Sequence, residues 1–171
     1  MSTSTGIFQQ SKIDAFLRFA RHRFKSSLFF CWKLPAAWLA GVRVQRCTEL
    51  ECTTSVPFRW LSQNPFRSTY FACLAMAAEM STGLLSILYV RAASKRVSML
   101  VVKMEASFHK KAVSRTFFHC AEGQHIQDAI AQAITTGEPV TLVTHSEGLS
   151  ADGTSIASFV ITWSFRAASK A

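Results

Sequence analysis

The chain has 171 residues, of which 49% are hydrophobic and 17% charged, and its 19 Lys and Arg against 10 Asp and Glu give a net charge of +9. One domain of this length buries a substantial core, and so apolar a composition excludes intrinsic disorder beyond Met1 to Thr5. The basic balance suits an anionic partner, whether nucleic acid, membrane surface or phosphorylated small molecule, but eight basic residues fall between Lys12 and Arg46, where a solvated N-terminal face is an equal explanation.

In chain order, Ile7 to Arg23 is expected to be a helix, with Ile13, Phe16, Leu17 and Ala20 at helical spacing. Phe24 to Leu39 is a second apolar segment, interrupted by Pro35, which starts a new short helix. Beyond Gly41, Val42 to Val56 alternates loosely and is expected to form one strand. Pro57 to Arg67, with two prolines, is a loop.

Ser68 to Ala93 is the most informative stretch. Ser68 or Thr69 caps it, and Ala, Leu and Met cover nearly its whole circumference, so it is expected to be buried on all sides. A bilayer span is the competing reading. Glu79 lies well inside the run, where a carboxylate at the bilayer centre costs about 2.5–3.5 kcal/mol, and no membrane span is expected. Two strands follow, Val97 to His109 and Ser114 to Ala121, with Lys110 and Lys111 in the turn between them. Gln124 to Thr136 is a short amphipathic helix ended by Gly137, and Val140 to Glu147 and Thr154 to Arg166 are strands joined by a turn at Asp152-Gly153.

The five cysteines are odd in number and show no CxxC spacing, which argues against a disulfide framework or a zinc knuckle and suits the cytoplasm. No secretory signal is expected. His119, Cys120 and His125 do not make a metal site, because adjacent strand residues face opposite ways. His145-Ser146-Glu147 lacks the flanking glycines of a nucleophile elbow. Nucleic-acid binding rests on charge alone, without a motif, and is not expected.

The order is thus strand, long buried helix, two strands, short helix, two strands, an α+β arrangement in which a curved antiparallel sheet of about five strands wraps the helix. That order, with Gln63-Asn64-Pro65-Phe66-Arg67-Ser68-Thr69-Tyr70-Phe71-Ala72 and the Ala-Met-Ala-Ala run before Glu79, resembles the hotdog-fold thioesterase superfamily, in a branch near the phenylacetate-pathway type of acyl-CoA thioesterase. The similarity covers roughly Gly41 to Arg166. It divides the chain into a helical extension, residues 1–40, packed on a hotdog domain, residues 41–171. In that type an Asn precedes the central helix, a His-Gly pair opens it, and an acidic residue sits about two turns further in. Asn64 and Glu79 fall at the matching positions, while Tyr70-Phe71 stands where the His-Gly pair would be, a departure that bears on activity more than on fold.

The resemblance implies hydrolysis of an acyl thioester, with coenzyme A as part of the substrate and no metal or other cofactor. It also implies a homodimer or dimer of dimers, with Asn64 and Glu79 of one site coming from opposite subunits. Glu79 is then the general base or nucleophile; its alternative is a structural carboxylate. Backbone amides of Tyr70 and Phe71, at the first turn of the helix, are the expected oxyanion donors, with the Phe71 side chain either leaving them open or covering them. Asn64 positions carbonyl or water, or is an ordinary turn residue. Arg91, Lys95, Arg96, Lys110 and Lys111 are the candidates for the coenzyme A phosphates, or else solvated turn residues. A silent protein that binds an acyl chain or acyl-CoA is the alternative to the enzyme.

Overall fold

The computed structural model describes residues 6–168, so the expectation for Met1 to Thr5 lies outside the described residues. Three helices open it: α1 (Gln10–Arg21), α2 (Arg23–Lys33) and α3 (Pro35–Ala40). The break between α1 and α2 is His22, whose extended backbone ends one helix and whose Nδ1 accepts the Lys25 amide to cap the next. Pro35 opens α3, and Gly41, at φ 85°, closes it in the left-handed conformation.

The stretch expected as one strand is a hairpin, β1 (Arg43–Cys47) and β2 (Cys52–Val56). No Gly, Asn or Pro marks its turn; the Thr48 hydroxyl makes it, accepting the amides of Leu50 and Glu51 at 3.3 and 3.1 Å. The sheet therefore has six strands rather than about five. The central helix is α4 (Phe71–Ala92), followed by β3 (Val97–Phe108), β4 (Thr116–Cys120), α5 (Gly123–Thr136), β5 (Val140–Ser150) and β6 (Ser155–Ala167). All pairings are antiparallel, in the order β1-β2-β4-β5-β6-β3. β3 and β4, neighbours in sequence, are not neighbours in the sheet. The segment holding Lys110 and Lys111 is a crossover that passes the N-terminal end of α4, where the Ala112 carbonyl accepts the Thr69 amide at 2.8 Å.

Helix α4 touches all six strands, which is the hotdog arrangement. Ala77, Ala78, Leu85 and Leu88 are fully buried against Phe118, Phe159, Ile161 and Phe165 of the sheet. The helix is tied down by polar contacts as well: Thr54 Oγ1 donates to the Ala77 carbonyl at 2.6 Å, and Trp163 Nε1 donates to Thr82 Oγ1 at 3.1 Å. Ile13, Phe16 and Leu17 of α1 join the same core, as do Ile126 and Ile130 of α5. Among the described residues α4 alone is long and apolar enough to cross a membrane, and 67% of its most apolar window is buried inside the protein. It is a core helix.

Candidate active site

The loop after β2 and the β3–β4 crossover meet at the N-terminal end of α4 and leave a cleft of about 540 Å³ between them. Asn64, Tyr70, Phe71, Phe108, Lys110 and Lys111 are among its lining residues. Five residues singled out from sequence are therefore brought together: Asn64, Tyr70, Phe71, Lys110 and Lys111. Their arrangement follows from local chemistry. Asn64 Oδ1 accepts the Phe66 and Ser68 amides at 3.0 and 3.2 Å and the Ser68 hydroxyl at 3.2 Å, which closes the loop and lets Arg67 hold φ 56°. With the oxygen so engaged, the group of Asn64 left for a ligand is its Nδ2 amide, a donor.

The amides at the helix start divide unequally. Tyr70 N donates to the Ser62 carbonyl at 2.7 Å, so this expected oxyanion donor is already engaged. Tyr70 is the N-cap and its carbonyl accepts from Cys73 and Leu74. Among the described residues the amides of Phe71 and Ala72 have no partner, and these two are the donors the first turn offers. The Phe71 ring is 57% exposed and lies in the cleft, edge-on to Tyr70 at 4.8 Å and to Phe108 at 6.4 Å between centroids.

Glu79 does not line this cleft. It lies eight residues beyond Phe71, about 12 Å along the helix axis. Its carboxylate sits over Gly83, on the side of α4 that faces the Trp163 indole. Burial pushes its pKa up from the usual carboxylate value. No side chain of the described residues neutralises it. A partly buried, unpaired carboxylate of this kind is a stronger proton acceptor than a solvated one.

The basic candidates separate cleanly. Lys110 and Lys111 are in the cleft. Arg91, Lys95 and Arg96 stand at the other end of a 22-residue helix, about 30 Å away, and do other work. Arg91 stacks over Phe16 and Phe29, at 5.7 Å from each ring centroid, and Lys95 Nζ donates to the Ile134 carbonyl at the end of α5 at 3.1 Å. Arg96 borders a separate hollow with Ser98 and Arg166. Sequence reasoning missed His109, which lines the cleft and bonds Ser158 Oγ at 3.1 Å; its place next to Lys110-Lys111 was the available signal. Among the described residues no three His, Cys, Asp or Glu side chains are grouped to hold a metal.

Residues 22–165 match a family model described as a domain of unknown function, DUF4442. The chain belongs to the DUF4442 family. Solved structures agree on the fold. A Pseudomonas aeruginosa protein of unknown function, described as a probable thioesterase, superposes with a TM-score of 0.72 at 17% identity, over 88% of this chain and 95% of its own. A Haemophilus influenzae thioesterase superposes at 0.59 with 10% identity, over 81% and 87%. A second Pseudomonas aeruginosa thioesterase, solved as a mutant, gives 0.60 at 14% identity over 96% and 100%. No curated protein matches the sequence. The chain therefore shares the hotdog fold of these structures.

Proposed function

We propose that the protein hydrolyses acyl thioesters, with acyl-CoA as substrate, in sites shared between two subunits. The observation that carries this reading is the first turn of α4, where the amides of Phe71 and Ala72 are unpartnered and Phe71 lines an apolar cleft that also holds two lysines. Those amides, with the dipole of a long helix behind them, suit a developing oxyanion. The names of the structural relatives support thioester chemistry in general.

In the proposed reaction Glu79 removes a proton from water, and the water oxygen attacks the thioester carbonyl carbon. The oxyanion accepts hydrogen bonds from the Phe71 and Ala72 amides, and Asn64 Nδ2 donates to the same carbonyl or to the water. The C–S bond then breaks, and the departing thiolate takes the proton from Glu79. The products are the coenzyme A thiol and a carboxylic acid, which loses its proton to solvent, and coenzyme A enters only as part of the substrate. Lys110 and Lys111 attract its phosphates.

The separation of Glu79 from the cleft within one chain is the reason for a second subunit. β3 is the long edge of the sheet, paired only with β6, and it exposes Leu100, Val102 and Met104. Two such edges pairing would satisfy both ladders and bury those side chains. Glu79 of one subunit would then face the cleft of the other, in a homodimer or dimer of dimers. A stable monomer of 19.0 kDa in light scattering contradicts this assembly. The five thiols, free in this structure, go with a reducing compartment, and we assign the protein to the cytoplasm.

A catalytically silent acyl-CoA binder is the second reading, favoured by the Phe71 ring standing in the cleft beside its own amide. Thiol release from short, long and aromatic acyl-CoAs separates the two. Turnover of at least one is expected. Binding without turnover selects the silent binder, and neither binding nor turnover defeats both.

A further inference from the structure

Helix α2 carries an apolar stripe with nothing packed over it. Phe24, Leu28 and Trp32 recur every four residues, so they stand along one side of the helix, and they are 74%, 63% and 80% exposed. Phe30 and Ser26 hold the opposite side in the core. Exposed apolar residues stand on the neighbouring elements too: Leu39 on α3, which touches α2, and Trp60 on the turn Trp60–Ser62, which touches α3. Arg59 joins these two elements, its Nη2 donating to the Leu39 carbonyl at 2.7 Å.

The charge around this stripe is of one sign. Residues 15–48 contain seven Lys or Arg and no Asp or Glu, and residues 52–78 again contain no Asp or Glu. Arg23, the residue before Phe24, lines a depression of about 450 Å³ together with Arg43, Arg59 and Arg115, and no carboxylate lines it. The guanidiniums are held in place: Arg115 donates to Ser55 Oγ at 3.2 Å and Arg43 to the Val42 carbonyl at 2.7 Å. Burial, and then the neighbouring charges of Arg59 and Arg115, push the pKa of Arg43 down. Like charges gathered without a counter-ion repel, and an anion seated among them relieves the repulsion.

We propose that this surface docks on an anionic phospholipid membrane, with Phe24, Leu28 and Trp32 entering the boundary between headgroups and acyl chains and the four-arginine depression holding a lipid phosphate. An amphipathic helix with aromatic and aliphatic residues on one side and basic residues around it is built for that interface. A free phosphate would occupy the depression and leave the stripe in water. A second copy of the chain would bring two positive surfaces together. The surface lies toward the β1 end of the sheet, away from the β3 edge assigned to the dimer, so the two do not compete. The inference is independent of the thioesterase reading.

The test is flotation of the full chain with phosphatidylcholine vesicles, with and without phosphatidylglycerol. Three proteins are compared: the parent, the triple variant Phe24→Ser, Leu28→Ser, Trp32→Ser, and the double variant Arg23→Gln, Arg115→Gln. The parent floats with the phosphatidylglycerol vesicles alone, less so as salt is raised, and each variant loses roughly tenfold or more in vesicle affinity. Should the triple variant fail to fold, Trp32→Ser alone is measured and must still weaken binding. Equal binding to both vesicle types, no binding to either, or binding that neither variant alters overturns the proposal. Inorganic pyrophosphate is titrated in parallel. Pyrophosphate binding lost in the arginine variant, without vesicle binding, reassigns the depression to a free phosphate. A triple variant that changes oligomeric state without vesicle binding in the parent reassigns the stripe to a second copy. Either outcome overturns the proposal.

Discussion

A Cβ built on Gly83 would stand 2.9 Å from Oε1 of Glu79, so the carboxylate occupies the space that the missing side chain leaves. The atom in the way is the far end of a flexible side chain. Gly83→Ala should therefore fold, and the helix gains about 1 kcal/mol from alanine's propensity. The carboxylate must move to make room. We expect unchanged or raised thermal stability together with a roughly 10–100-fold loss of thioesterase activity. Loss of stability without loss of activity would show that the carboxylate has no catalytic position to keep.

The raised pKa of Glu79 has a consequence for stability. A carboxyl whose folded-state pKa lies above its unfolded value binds its proton more tightly in the fold; its burial costs nothing below the unfolded pKa and is most costly above the folded one. Stability is thus gained as pH falls through the folded-state pKa toward the ordinary glutamate value. Glu79→Gln removes the penalty. Its melting temperature should exceed the parent's at pH about 8, by roughly 2 °C or more, and the excess should vanish below pH about 4. A pH-independent difference would mean that the carboxylate is fully solvated, and a difference of opposite sign that it is paired.

Much of this was legible in the sequence, for a physical reason. A helix apolar on every side, with Glu79 inside it, admits few environments, and period-two strands around it narrow them to a wrapped sheet. The Asp152-Gly153 turn was legible because Gly153 adopts a positive φ of 82°. The Thr48 hairpin was not, because a hydroxyl made the turn without the usual residues. Nor did the sequence reveal that Tyr70 N is engaged by Ser62, or that Arg91 and Lys110 lie at opposite ends of a helix. Those facts depend on how the loop and the crossover close over the N-terminus of α4. The arginine depression assembles residues from four separate stretches of chain, which local patterns do not report.

Phe71 is exposed and lies in the cleft, so Phe71→Ala should leave stability within about 0.5 kcal/mol. It should widen access to the Phe71 and Ala72 amides. The expected result is a shift of kcat/KM toward bulkier acyl groups, or the appearance of turnover where the parent shows only binding. An unchanged acyl preference would remove Phe71 from the site.

Lys110→Ala and Lys111→Ala should raise KM for acyl-CoA by roughly 3–10-fold at low salt, with kcat little changed. The same variants should leave KM for acyl-pantetheine, which lacks the nucleotide phosphates, where it was. Arg91→Ala should behave in the opposite way. It loses two ring contacts and about 0.5–1 kcal/mol of stability, without effect on KM. An Arg91→Ala variant of parental stability with a raised KM would return that residue to substrate binding.

Glu79→Gln keeps the size and shape of the side chain while removing the base, and so decides whether Glu79 activates the water that cleaves the thioester. Thiol release is measured for parent and variant on the acyl-CoA that the parent turns over fastest, with circular dichroism confirming that both are folded. The prediction is a loss of roughly 10²–10⁴-fold in kcat, with KM close to the parent's. A folded Glu79→Gln protein that releases the thiol at the parental rate contradicts it.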